Sequence, residues 1–232
     1  MSIKKLFALP LSICLTLSML SFASVPVSAN DTLDRTGEAL IQPPKAQLFT
    51  PTYSKKGLQF GESIDDAINL GIKYCLFNIE ITELMDTSGN RLEYDYNGKT
   101  YTFNWDAFKR WGSLFSQLGD AGIHLSAEFL LPWADGQTDL IHPAARGERG
   151  HNYYAWNIST PEDKDRYAAL FSCLAEVFDG RHGMGHIGNY LIGNEVNAHS
   201  QWHYTGSDSL KENAYLYADT FQIVNSAVQD KC

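Results

Sequence analysis

The stretch YLIGNEVN, Tyr190 to Asn197, decides how the chain is read. Tyr190, Leu191 and Ile192 have the apolar, β-branched and aromatic character of a buried strand, yet the run ends in Asn194-Glu195. A carboxylate therefore stands where burial is expected. Burying an ionised carboxylate is costly unless it is paired, hydrogen-bonded or protonated. A strand that ends in this way marks Glu195 as a candidate functional group, and makes it worth asking how many similar strands precede it.

Working backward, short apolar runs alternate with longer stretches of helical spacing from Gly57 onward. Strands are expected at Lys56–Phe60, Lys73–Ile81, His124–Leu131 and Gly188–Asn194. Between them, Ser63-Ile64-Asp65-Asp66 resembles a capping box. Phe108, Trp111, Leu114, Phe115 and Leu118 recur at three-and-four spacing, and Thr160-Pro161 with Asp163 opens a further helix striped by Tyr167, Leu170, Phe171, Leu174 and Phe178. Ser209-Leu210-Lys211-Glu212 opens the last helix. Asn97-Gly98 between Leu92–Tyr96 and Lys99–Phe103 predicts a β-hairpin inserted after the second strand. Strands alternating with helices predict an α/β fold with a parallel sheet of about four strand-helix units, either doubly wound or part of a (β/α)8 barrel. Gly57 and Gly61 are isolated, so the first strand-to-helix turn has no phosphate-binding fingerprint and dinucleotide binding is disfavoured.

Composition narrows the function. The 232 residues carry a formal net charge of −9, which repels phosphate backbones and disfavours nucleic acid and anionic membranes as partners. Lys4 and Lys5, an apolar run to Phe22 and Val27-Ser28-Ala29 form the layout of a secretory signal peptide over residues 1–29, which predicts export to the extracellular space and no membrane attachment after cleavage. Residues 30–56 read as an extended leader and residues 57–232 as the folded domain. Cys75, Cys173 and Cys232 form neither a CxxC pair nor a disulfide framework, and Cys75 and Cys173 sit on apolar faces.

Strand alternation sorts the polar residues. Leu76, Asn78 and Glu80 share one face of the second strand, opposite Cys75, Phe77, Ile79 and Ile81; Ser126 and Glu128 share a face of the third. Polar groups at the carboxyl ends of parallel strands have the layout of a barrel active site, and a polar layer satisfied by its own hydrogen bonds is the plainer alternative. Trp133, Tyr153, Tyr154, Trp156, Trp202 and Tyr204 fall in the loops after the third and fourth strands, where rings stack on sugar faces or simply pack. Glu195, His199 and His203 recur every four residues and would form a metal-binding face if helical, but Gly193 and the preceding strand argue against a helix at Glu195, so no metal or other cofactor is expected.

Ile192-Gly193-Asn194-Glu195-Val196-Asn197 resembles the fourth-strand signature of the clan of retaining glycoside hydrolases with a (β/α)8 barrel. Over roughly residues 55 to 230 the chain is also similar to a family of secreted bacterial proteins of undefined function described as glycoside-hydrolase-like, through Lys55-Lys56-Gly57-Leu58, Tyr96 to Tyr101, Leu140 to Pro143 and Tyr153 to Asn157. The resemblance implies a carbohydrate partner, Glu195 as the acid/base and Asn194 on the sugar 2-hydroxyl. The candidate substrate-binding set is Asn194, Asn197, Trp202, His203, Asn78, Glu80, Glu128, Trp133, His142 and Trp156. The reaction it implies is hydrolysis of O-glycosidic bonds in a polysaccharide or oligosaccharide, for which a carboxyl with a raised pKa protonates the leaving oxygen. The clan's nucleophile belongs to a seventh strand, so the sequence reads as the amino-terminal half of a barrel, inactive by itself and prone to self-associate through its open edges. A secreted carbohydrate-binding protein without catalysis is the competing expectation.

Overall fold

The computed structural model describes residues 56–59 and 63–231. The expected signal peptide, nearly all of the expected leader and Cys232 lie outside the described residues. The chain is α/β: β1 (Gly57–Gln59), α1 (Ile64–Asn69), β2 (Tyr74–Glu80), α2 (Ile81–Met85), β3 (Arg91–Tyr96), β4 (Lys99–Asn104), α3 (Trp105–Asp120), β5 (His124–Leu130), α4 (Pro161–Val177), β6 (Asn189–Ile192), α5 (His199–Trp202) and α6 (Leu210–Gln229). β1, β2, β5 and β6 form a four-stranded parallel sheet in that order, compatible with part of a barrel.

The helix starts follow from their side chains. Ser63 Oγ accepts from Asp66 N, Thr160 Oγ1 from Asp163 N at 3.1 Å and Ser209 Oγ from Glu212 N at 3.3 Å, each satisfying a backbone donor that the first helical turn leaves orphaned. The hairpin turns at Asn97 (φ 48°) and Gly98 (φ 77°), both left-handed as a two-residue turn of this twist requires. It lies along α4, where Asn97 Nδ2 donates to Asp165 at 3.1 Å, Tyr94 Oη to Glu176 at 3.1 Å, and Lys99 pairs with Glu162.

The core fills the space between one face of the sheet and the helices. Cys75, Phe77 and Ile79 of β2 are buried with Leu125, Ala127 and Phe129 of β5. Phe129 meets Phe171 of α4 at 4.8 Å between ring centroids and Tyr190 of β6 at 5.7 Å, while Phe178 joins Phe108 and Phe115 of α3 at 5.6 and 5.2 Å. Full burial of each such ring is worth roughly 1.5–3 kcal/mol, so this layer holds the sheet in place. Cys75 and Cys173 are free and buried, and burial pushes the Cys75 thiol up to about 11, which makes both inert small hydrophobes. α6 packs along α4, with Ser172 Oγ donating to Ala227 O at 3.2 Å. No helix among the described residues is long and apolar enough to cross a membrane.

Two local readings change. The fourth strand is shorter than Gly188–Asn194, because the chain turns out of the sheet at Gly193, and it is covered on one side only: Ile192 is buried, Tyr190 half-buried and Leu191 36% exposed. The second strand ends at Glu80, since Ile81 and Leu84 bury themselves one helical turn apart and start α2, a segment too short to show a period in the sequence.

Candidate functional site

The face of the sheet turned away from the helices is polar. Gln59 Nε2 donates to Asn78 Oδ1 at 3.0 Å, and Asn189 Nδ2 donates to Ser126 Oγ at 3.1 Å, so neighbouring strands are stitched across this face. The register sets Asn78 opposite Glu128 and Glu80 opposite Leu130. Asn78 and Glu80 are exposed, whereas Glu128 on the central strand β5 is only 7% exposed. Among the described residues Glu128 has no hydrogen bond or ion pair, and burial alone pushes its carboxyl above the usual carboxylate range. Tyr153 comes near enough to Glu80 and Glu128 to feel both: burial first, and then the charges of these two carboxylates, push its hydroxyl up. Its ring neighbours Trp202 at 5.9 Å.

Glu195 is placed differently from expectation. It lies beyond the end of β6, exposed, and the burial anticipated for it belongs instead to Glu128. Its backbone is left-handed, φ 42°, a conformation that costs a bulky L-residue about 1–2 kcal/mol. The loop is held there by its neighbours. Gly193 N donates to Phe129 O at 3.0 Å, Ala198 N to Glu195 O at 2.7 Å and Asn213 Nδ2 to Val196 O at 2.6 Å. Asn213 Oδ1 in turn meets His203 Nδ1 at 2.6 Å. With the amide oxygen as acceptor, Nδ1 carries the hydrogen, and burial pushes the His203 pKa down, which keeps the ring neutral.

Of the expected substrate-binding residues, His203 is 2% exposed and Trp156 1% exposed, so both are packed inside the fold. Trp156 bridges to Ile141, which turns its indole inward to stack on Tyr167 at 5.1 Å and Phe171 at 5.6 Å. Tyr154 is likewise buried, while Tyr204 stacks on His151 at 3.5 Å. Trp133 is half-buried with its Nε1 on Asp135 at 3.0 Å and the Arg149 guanidinium over its ring at 4.8 Å. His142 Nδ1 meets Thr205 O at 3.2 Å, and burial lowers its pKa. Asn194 and Trp202 are half-buried and Asn197 is exposed. Glu195 precedes α5 and His203 follows it, so the two do not share a helical face with His199; among the described residues no three His, Cys, Asp or Glu side chains converge to hold a metal ion.

Beside Glu80 opens a cleft of about 840 Å³ that sequence reasoning missed, walled by α2, the hairpin and the loop from Ala134 to Leu140. Most of its acids already have guanidinium partners: Glu83 pairs with Arg110, Asp135 with Arg149, and Asp139 with Arg166 at 2.5 Å. Gln137 Oε1 is buried in this wall without a hydrogen-bond donor among the described residues. The available signal was the turn chemistry of Asp135-Gly136-Gln137 after Pro132-Trp133.

Glu128 provides a direct check on this electrostatic layout. The folded protein takes up a proton at Glu128 more readily than the unfolded chain, so its contribution to stability is full at acid pH and declines as pH rises through the raised folded-state value. Glu128→Gln keeps the shape and removes the ionisable group. We expect the variant to exceed the parent in stability at neutral pH by about 1–2 kcal/mol and the gap to close near pH ~4. Thermal melts at both pH values measure this, and an equal gap at both would contradict a buried, uncompensated carboxyl.

No curated protein matches the chain. Residues 49–232, which include every element described above, match the model of a family described as a family of unknown function (DUF5722), and the chain belongs to that family.

Proposed function

We propose that this is an exported glycoside-hydrolase-like protein whose parallel strands belong to a (β/α)8 barrel and whose strand-end face engages a polysaccharide or oligosaccharide. Glu195 is the group that protonates the glycosidic oxygen, and Asn194 beside it binds a sugar hydroxyl. The observation that carries this reading is the Glu195 loop. A left-handed glutamate is strained, and such strain persists where the surroundings over-determine it, here through Ala198, Asn213 and His203. A glycan lying over the loop would also cover Glu195, which water surrounds in its absence, and so supply the dry setting a general acid uses.

Carbohydrate binding without turnover is the second reading. It is favoured by the strand-end face itself, where exposed Asn78 and Glu80 offer hydrogen-bonding groups that can hold a sugar without a catalytic step. On this second reading the purified chain binds members of an oligosaccharide panel and gives negligible turnover of aryl glycosides; on either reading Asn194→Ala weakens binding about tenfold, one lost hydrogen bond to a well-placed hydroxyl. Turnover that disappears in Glu195→Gln would select the enzyme over the binding protein. Turnover that survives it would remove Glu195 from the role, and failure to retain any glycan would end both readings. A further partner is a second copy of the chain, paired through β1 and β6, the edge strands of the sheet among the described residues; sedimentation as a monomer at micromolar concentration would eliminate it.

A further inference from the structure

The acids around the strand ends divide into two kinds. Glu83, Asp135 and Asp139 are each answered by an arginine. Glu80 and Glu128 take part in no ion pair among the described residues, although both act on the Tyr153 hydroxyl. The open face they occupy carries Gln59, Asn78, Ser126 and Asn189 besides, and no lysine or arginine. Glu128 is the unusual member: a carboxyl on a residue 7% exposed, without a partner among the described residues, on the same face as Asn78 and near enough to Tyr153 for its charge to act on the hydroxyl. A carboxyl largely covered by the fold and left without a partner is one that a ligand of opposite charge stabilises in its ionised form.

Resting on the carbohydrate reading above, we infer that Glu80, Glu128 and Tyr153 form a subsite for a cationic sugar, a pyranose bearing a free ammonium group. The ammonium sits between the two carboxylates and donates to them, while Tyr153 and Trp202, 5.9 Å apart, offer ring faces to the apolar side of the sugar. A metal ion is the poorer occupant, since among the described residues no three ligating side chains converge. A lysine side chain carries the same charge but has no ring face for the aromatic pair to cover. The adjoining cleft, which Glu80 also lines, gives the neighbouring residues of a chain room to lie.

Isothermal titration of the purified chain tests this with a tetramer of β-1,4-linked glucosamine, its fully N-acetylated counterpart, cellotetraose and tetralysine. The glucosamine tetramer should bind at least tenfold more tightly than the other three. Glu80→Gln and Glu128→Gln should each remove most of that preference, by weakening the glucosamine tetramer several-fold more than they weaken cellotetraose. Glu80 is exposed and its variant is expected to fold normally, as is the more stable Glu128 variant, so both report on binding. Equal affinity for the glucosamine tetramer, its acetylated counterpart and cellotetraose would overturn the subsite and leave the carbohydrate reading intact. Tetralysine binding as well as glucosamine would reduce the effect to general attraction by an acidic protein and overturn it too. Preference that survives both substitutions would place the cation elsewhere, and failure of all four probes would remove the carbohydrate reading together with the subsite.

Discussion

Gly206→Ala is expected to be the most damaging single substitution in the loop region. Gly206 has φ 83°, and a Cβ added there would lie 2.2 Å from the carbonyl oxygen of Ala144 and 2.3 Å from its carbonyl carbon. The obstacle is backbone, so no rotamer change relieves it. The left-handed φ adds strain of its own for any L side chain. Together these should cost about 3–5 kcal/mol, enough to lower the melting temperature by roughly 6–20 °C in a domain of this size. Gly98→Ala supplies the control, since Gly98 has a similar φ of 77° but open space around it. It should cost only the backbone strain, about 1–2 kcal/mol. Urea denaturation of both variants decides the matter, and comparable losses would show that the close approach of the 206 and 144 segments is not what makes Gly206 necessary.

Asn213→Ala is expected to have the second largest effect and to reach the Glu195 loop directly. Asn213 is 2% exposed and uses both ends of its amide, accepting from His203 Nδ1 and donating to Val196 O, each at 2.6 Å. Truncation leaves a buried ring nitrogen and a carbonyl without partners, at about 1–3 kcal/mol for each group. We expect a loss of roughly 2–4 kcal/mol overall. Because Val196 follows Glu195, the left-handed backbone at Glu195 loses one of its anchors, and under the function proposed above affinity for oligosaccharide should fall even where the variant remains folded. Hydrogen exchange at the amides of residues 194–198 should accelerate more than at β5. Unchanged exchange in that loop, with stability within 0.5 kcal/mol of the parent, would show that the His203–Asn213 pair does not hold the loop.

Much of the fold was legible in the sequence because the signals were local. Thr160, Pro161 and Asp163 specify a helix start by interactions within one turn, and Asn97-Gly98 specifies the hairpin by the left-handed backbone those residues tolerate. The alternation of Cys75, Phe77 and Ile79 with Leu76, Asn78 and Glu80 was likewise readable, since a strand with one covered face must alternate. Those residues carried the α/β reading and the polar strand-end face.

The assignment of burial to particular polar and aromatic side chains came only from tertiary structure. Trp156 and Trp202 occupy similar loops in sequence, yet one is stacked under α4 and the other is half-buried beside Tyr153. Glu195 ends an apolar run and is exposed, whereas Glu128 sits mid-strand and is buried. Periodicity reports which face of a strand a residue shares, and that is a property of the local backbone. How deeply the face is covered depends on whether the strand is central, as β5 is, or an edge, as β6 is, and on which distant segments fold over it. Sheet order and loop packing are long-range, so they determined where the uncompensated carboxylate lies.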